Sequence, residues 1–152
     1  MLGNHTKPTI LIVDPETRFL EGIYGDPASA QSPPIVAMRG ADAQQILGDR
    51  NQNFSAMFIN PQVQEPGVLS IIKFCHQNRP TLPIFLLISD RCPYTQEELQ
   101  RLGIRQVIQK PVNYVQLLQI GTPQGIKFDP KKMIGASRST GEALDTESDM
   151  DD

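Results

Sequence analysis

Two kinds of apolar pattern take turns along the first 120 residues. Short runs of strand character stand at 9–13 (TILIV), 34–39 (PIVAMR), 55–59 (SAMFI), 82–89 (LPIFLLIS) and 105–109 (RQVIQ). The first is continuous and rich in β-branched side chains, the signature of a strand covered on both faces. Between and after them lie stretches of helical character: 16–25 (ETRFLEGIYG), 41–49 (ADAQQILGD), 66–79 (PGVLSIIKFCHQNR), 95–103 (TQEELQRLG) and 113–120 (NYVQLLQI). In the third of these, Val68, Leu69, Ile71, Ile72 and Cys75 form a broad stripe, opened by Pro66 and closed before Pro80. The first is the weakest, because Gly22 and Gly25 lower its helix propensity and Pro27 ends it. Strand then helix, five times over with short connections, predicts an α/β fold with a doubly wound, five-stranded parallel sheet.

Composition narrows the function more than the fold. The 152 residues are 39% apolar and 20% charged, with a formal net charge of -3. That balance gives no reason to expect a nucleic-acid or membrane-surface partner. No apolar run approaches the length of a membrane span, and the start, MLGNHTKPT, carries no signal-peptide segment. Up to Ile120 ten basic residues balance ten acidic ones, so the whole charge deficit falls in the remainder. The stretch 134–152 is small, polar and acidic and reads as a flexible tail or linker; residues 1–133 read as the folded domain. Cys75 and Cys92 make neither a disulfide framework nor a metal spacing, which points to a reducing, cytoplasmic setting. His5 and His76 lack companions at metal-ligand spacing, and no cofactor is expected.

In doubly wound sheets the working site lies beyond the carboxyl ends of the strands, at the switch point of the strand order. The polar residues at those ends are Asp14, Asn60, Ser89 and Lys110. With ILIVDPE, MFINP, PIFLLIS and VIQKP in this order on alternating elements, the chain resembles the receiver domain of two-component response regulators (the flavodoxin- and CheY-like fold).

What the resemblance implies is a phosphoryl transfer to a carboxylate at the end of the third strand, assisted by a divalent cation on acidic ligands. The matching positions depart from that pattern. Asn60 stands for the phosphoacceptor, and its amide is a poor nucleophile without charge; Pro15 stands for the acidic residue that usually ligates the cation. Glu16 is acidic but one residue out of register. Val107 replaces the aromatic switch residue three positions before the lysine, while Ser89, Lys110 and Pro111 are kept, the last being cis in the family. The expectation is a pseudo-receiver without catalytic activity. Lys110 is expected to pair with Asp14, and Asn60 to link Lys110 to neighbouring backbone groups. Ser89 reads either as a hydroxyl reporting on the pocket or as a small strand-end residue with a backbone hydrogen bond.

Three functions remain in play: a phosphorylation-independent protein-interaction module, a receiver with atypical phosphorylation, and a small-ligand sensor in the degenerate pocket. The first is favoured, with a partner protein, an output domain or a second copy as the partner. The resemblance implies a contact face built from the fourth helix, fifth strand and fifth helix. Here Glu97, Glu98, Arg101 and Arg105 would give that face self-complementary charge, and Tyr114 an amphipathic anchor.

Overall fold

A computed structural model describes residues 9–122. Five strands, β1 (Thr9–Val13), β2 (Ile35–Ala37), β3 (Phe54–Ile59), β4 (Ile84–Ile88) and β5 (Ile104–Gln109), form one parallel sheet in the order β2-β1-β3-β4-β5. The order reverses between β1 and β3, so the expected switch point exists and lies between these two strands. Among the described residues five helices lie in the connections and one follows β5: α1 (Thr17–Gly25), α2 (Ala28–Gln31), α3 (Gly40–Gly48), α4 (Val68–Asn78), α5 (Gln96–Leu102) and α6 (Tyr114–Gly121). The tail expected at 134–152, and the domain boundary at 133, lie outside the described residues.

Side chains of successive strand residues point to opposite faces, and each face has its own core. Leu11, Val13, Met57, Ile59, Leu86 and Ile88 pack with Leu47 of α3, Ile71, Ile72 and Cys75 of α4, and Leu99 of α5. On the other face Ile10, Ile12, Phe58, Leu87 and Ile108 pack with Leu20 and Ile23 of α1 and Leu117 of α6. Both faces being covered is what the continuous apolar strands required. Among the described residues no helix is long and apolar enough to cross a membrane.

The helix ends are closed by chemistry the sequence carries. Thr95 and Glu98 make a capping box at the start of α5, and Gly103 ends it in the left-handed region (φ 76). The start of α3 is closed from outside: Gly40 and Ala41 donate their N–H groups to the carbonyls of Gln64 and Glu65, each at 2.8 Å. A Cβ at position 40 would overlap the Pro66 backbone, so glycine permits that approach. The region beyond the end of α3 is held by Arg79, whose guanidinium donates to the carbonyls of Leu47, Gln52 and Asp49 at 2.9, 2.8 and 2.6 Å and covers the Phe54 ring.

Three expectations are corrected. The Pro-rich connection after α1 contains α2, started where the Asp26 carboxylate accepts the Ala28 N–H at 2.9 Å across Pro27. Pro66 does not open α4: it follows a cis bond, and the helix begins at Val68 behind Gly67. Tyr114 is not a surface anchor. It is 1% exposed, because it shares the sheet-facing side of α6 with Leu117, three residues on. Its hydroxyl donates to the Ser32 carbonyl, and burial pushes its pKa up to about 12.

Candidate functional site

Two neighbouring strands end in the same way. β1 runs into Asp14-Pro15-Glu16 and β3 into Asn60-Pro61-Gln62. In each, proline lacks the N–H that would continue the ladder, and the side-chain Oδ1 of the first residue accepts the N–H of the third at 2.8 Å. The last ladder bonds are alike too, Asp14 N–H to Ala37 and Asn60 N–H to Val13, each at 2.9 Å. The two turns sit side by side at the switch point and differ in both polar side chains, acids in one and amides in the other.

Asp14 is fully buried and Asn60 is 1% exposed. Asn60 Nδ2 donates to Asp14 Oδ1 at 3.3 Å, joining the turns. Lys110, at the end of β5, brings its ammonium 2.7 Å from Asp14 Oδ2 and 2.5 Å from Glu16 Oε1, over the face of Phe19. The contact to Asp14 is an ion pair without the angles of a directed hydrogen bond, whereas the one to Glu16 is directed. Ser89, at the end of β4, donates its hydroxyl to Glu16 Oε2 at 2.9 Å. The hydrogen bond from Lys110, then that from Ser89, hold the Glu16 carboxyl below its ordinary pKa against a smaller opposing push from burial. Five side chains from four strand ends thus form one connected network.

The expected Asp14–Lys110 pair is present, and the Lys110–Pro111 bond is cis. One expected role changes, and one pair of alternatives is decided. Asn60 bonds Asp14 and the Gln62 backbone rather than Lys110, because the lysine is drawn to charge and the amide carries none. Ser89 bonds the Glu16 side chain rather than backbone. Glu16 is the functional-site residue that register counting set aside. The Asx turn at Asp14 folds the chain back, and that recovers the missing reach. The parallel between DPE and NPQ is the sequence signal for it.

Pro15 is half-buried and brings no side-chain oxygen, and Val107 packs as a half-buried residue against the core beside α4 and α5. Glu97, Arg101 and Arg105 are exposed, while Glu98 is half-buried and engaged in the capping box. Cys75 is a core thiol raised to about 11 by burial, and Cys92 Sγ faces the Tyr94 carbonyl at 3.5 Å.

A divalent cation of the kind implied by the resemblance needs several free hard oxygens. Here Asp14 Oδ1 takes two N–H donors, Oδ2 and Glu16 face an ammonium, and Asn60 Oδ1 takes the Gln62 N–H. Asn60 moreover turns a donor nitrogen toward the buried carboxylate. This donor set does not fit the ion.

No family model matches the chain, and no curated protein does. Solved structures of receiver domains do. A CheY-like response regulator receiver domain protein from Methanospirillum hungatei JF-1 matches with a TM-score of 0.63 at 18% identity, over 76% of this chain and 90% of that one. The receiver domain of AraT, a response regulator from Geobacillus stearothermophilus, matches with 0.60 at 18%, over 76% and 90%. A response regulator from Burkholderia pseudomallei, solved with a phosphorylated aspartic acid, calcium ion and citrate, matches with 0.62 at 17%, over 76% and 67%. At such identities the likeness establishes the fold: this chain has the architecture of a receiver domain.

Proposed function

We propose that this chain is a receiver-like signalling module that takes no phosphoryl group and works by binding another protein. One observation carries the reading. The side chain at the end of β3 is an amide whose nitrogen donates toward Asp14 at 3.3 Å, so no anionic oxygen is presented where a phosphoacceptor would stand. The ammonium of Lys110, paired with both acids, supports it by supplying positive charge from within the fold. A module of this kind has no catalytic activity of its own and is competent without a phosphodonor. Its contact surface is the exposed part of α5 and β5, where Glu97, Arg101 and Arg105 mix charge of both signs. The partner is an output domain, a separate protein or a second copy of the chain.

The test uses the full chain with acetyl phosphate and magnesium, and separately with beryllofluoride. The expected result is no acid-labile label and no magnesium-dependent shift of the amide spectrum. Stoichiometric, saturable modification at Asn60 would sink the proposal. For the binding half, light scattering and pull-down should give the same association with and without phosphodonor. Reversing the charge of Arg101 and Arg105 together should weaken it while leaving the circular dichroism unchanged. Tyr114, being core, is no longer a useful probe of the surface.

A further inference from the structure

Glu16 occupies the residue before α1, yet its side chain makes no capping bond to that helix. It reaches instead across the carboxyl edge of the sheet. One oxygen takes the Lys110 ammonium at the end of β5, and the other takes the Ser89 hydroxyl at the end of β4. From β1 to β5 there are three strand spacings, roughly 14 Å, so a single carboxylate with one long lysine stem spans the edge from β1 to β5. The turn at Asp14 fixes the Glu16 backbone from behind, since Asp14 Oδ1 accepts the Glu16 N–H. Ser89 begins the connection from β4 to α5, and Lys110 begins the connection from β5 to α6. These are the two loops that lead into and out of α5 and β5.

From this we infer that Glu16 is a positioning residue, an internal clamp that holds both loops in one arrangement whatever happens at Asn60. The inference deepens the pseudo-receiver reading and rests on it for its consequence: a contact surface set once, by folding, and not reset by phosphorylation. A clamp made of one carboxylate is selective. Removing it frees the end of β4 and leaves Lys110, at the end of β5, held by Asp14 alone, whereas removing Ser89 frees only the first.

Amide hydrogen exchange on the full chain, followed by mass spectrometry, tests this. Glu16→Ala should accelerate exchange about tenfold in 89–95, the scale expected when a charge-assisted hydrogen bond is lost, and by less in 110–113, where Asp14 still holds the Lys110 ammonium. Segments 40–48 and 71–78 should keep their protection. Ser89→Ala should accelerate 89–95 alone. Glu16→Gln, which still offers Lys110 an acceptor and Ser89 a hydrogen-bond partner, should restore most of the protection at both loops. Unchanged exchange in Glu16→Ala overturns the clamp, and so does a uniform acceleration along the whole chain, which is general destabilisation. Either failure leaves the inertness of Asn60 untouched. A phosphorylated Asn60, in turn, overturns the functional reading without altering the exchange pattern.

Discussion

The turns that end β1 and β3 share their ladder bond and their side-chain turn bond and differ in chemistry. Asp14-Pro15-Glu16 and Asn60-Pro61-Gln62 each close with an Oδ1 acceptor and an N–H two residues on, at the same 2.8 Å. These two bonds therefore do not distinguish them. Charge does: Lys110 and Ser89, from two other strands, both go to the acidic turn. The Asn60 side chain bonds the Gln62 N–H of its own turn and Asp14. A strand end can thus have the same turn with either chemistry, because the Asx–Pro turn needs an oxygen and not a charge.

If charge makes the difference, the acidic turn should depend on the lysine far more than the amide turn does. Lys110→Met leaves the buried Asp14 carboxylate beside Glu16 with no cation. Breaking a buried pair on one side typically costs ~3–5 kcal/mol. Urea denaturation at neutral pH should therefore show a loss of that order, the largest of any change in the network. A loss below about 1 kcal/mol, the worth of an exposed pair, would break the comparison.

The same contrast explains what could be read from residues alone. The five strands and the order of the helices were legible because the central strands are apolar runs and the periods switch at Gly and Pro. Helix α2 was not, although Asp26-Pro27 is a capping signal, because four residues give no period to detect. In the pocket, the residue types at 14, 60, 89 and 110 could be placed by counting strand ends. Glu16 could not, since its reach comes from a turn that moves it across the sheet edge, not from its register in the strand. Tyr114 failed for a related reason. Tyrosine suits both a surface and a core, and only the packing of α6 on β3 decides between them.

A smaller effect sharpens the comparison from the amide side. Asn60→Asp preserves the turn oxygen, so the fold should persist, but it sets a third carboxylate beside Asp14 and Glu16. A nearby like charge raises the pKa of the new group above its unfolded value. Its stability is then intact below the unfolded value and lost as pH rises through the carboxylate range. The expected deficit is about 1–2 kcal/mol at pH 7, by analogy with a shift of one unit. Glu16 has the opposite sign in the native protein. Its lowered pKa means a contribution present above its ordinary value and lost as pH falls through the folded one. That contribution is modest, because the Glu16 side chain is 36% exposed and salt screens it. Glu16→Gln should flatten the acid limb of the stability profile, and an unchanged limb would remove Glu16 from the account.

The smallest effect is an expected absence of change, and it bears on whether the two turns can ever become alike. Asparagine commonly turns into aspartate when the backbone nitrogen of the next residue attacks the side-chain carbonyl and expels ammonia through a cyclic imide. That attack needs a nitrogen carrying a proton, and the residue after Asn60 is Pro61, which has none. Both ends of the amide are also held, Oδ1 by Gln62 and Nδ2 by Asp14. The amide turn is therefore closed to the spontaneous route that would convert NPQ into DPQ and place a carboxylate at the end of β3. Protein aged for weeks at mildly alkaline pH should show no amide-to-acid mass change in the peptide containing residue 60, whereas Pro61→Gly under the same conditions should acquire one. Conversion at position 60 in the native sequence would mean that the neutral turn is a passing state of an acidic one, and the contrast between the two strand ends would lapse with time.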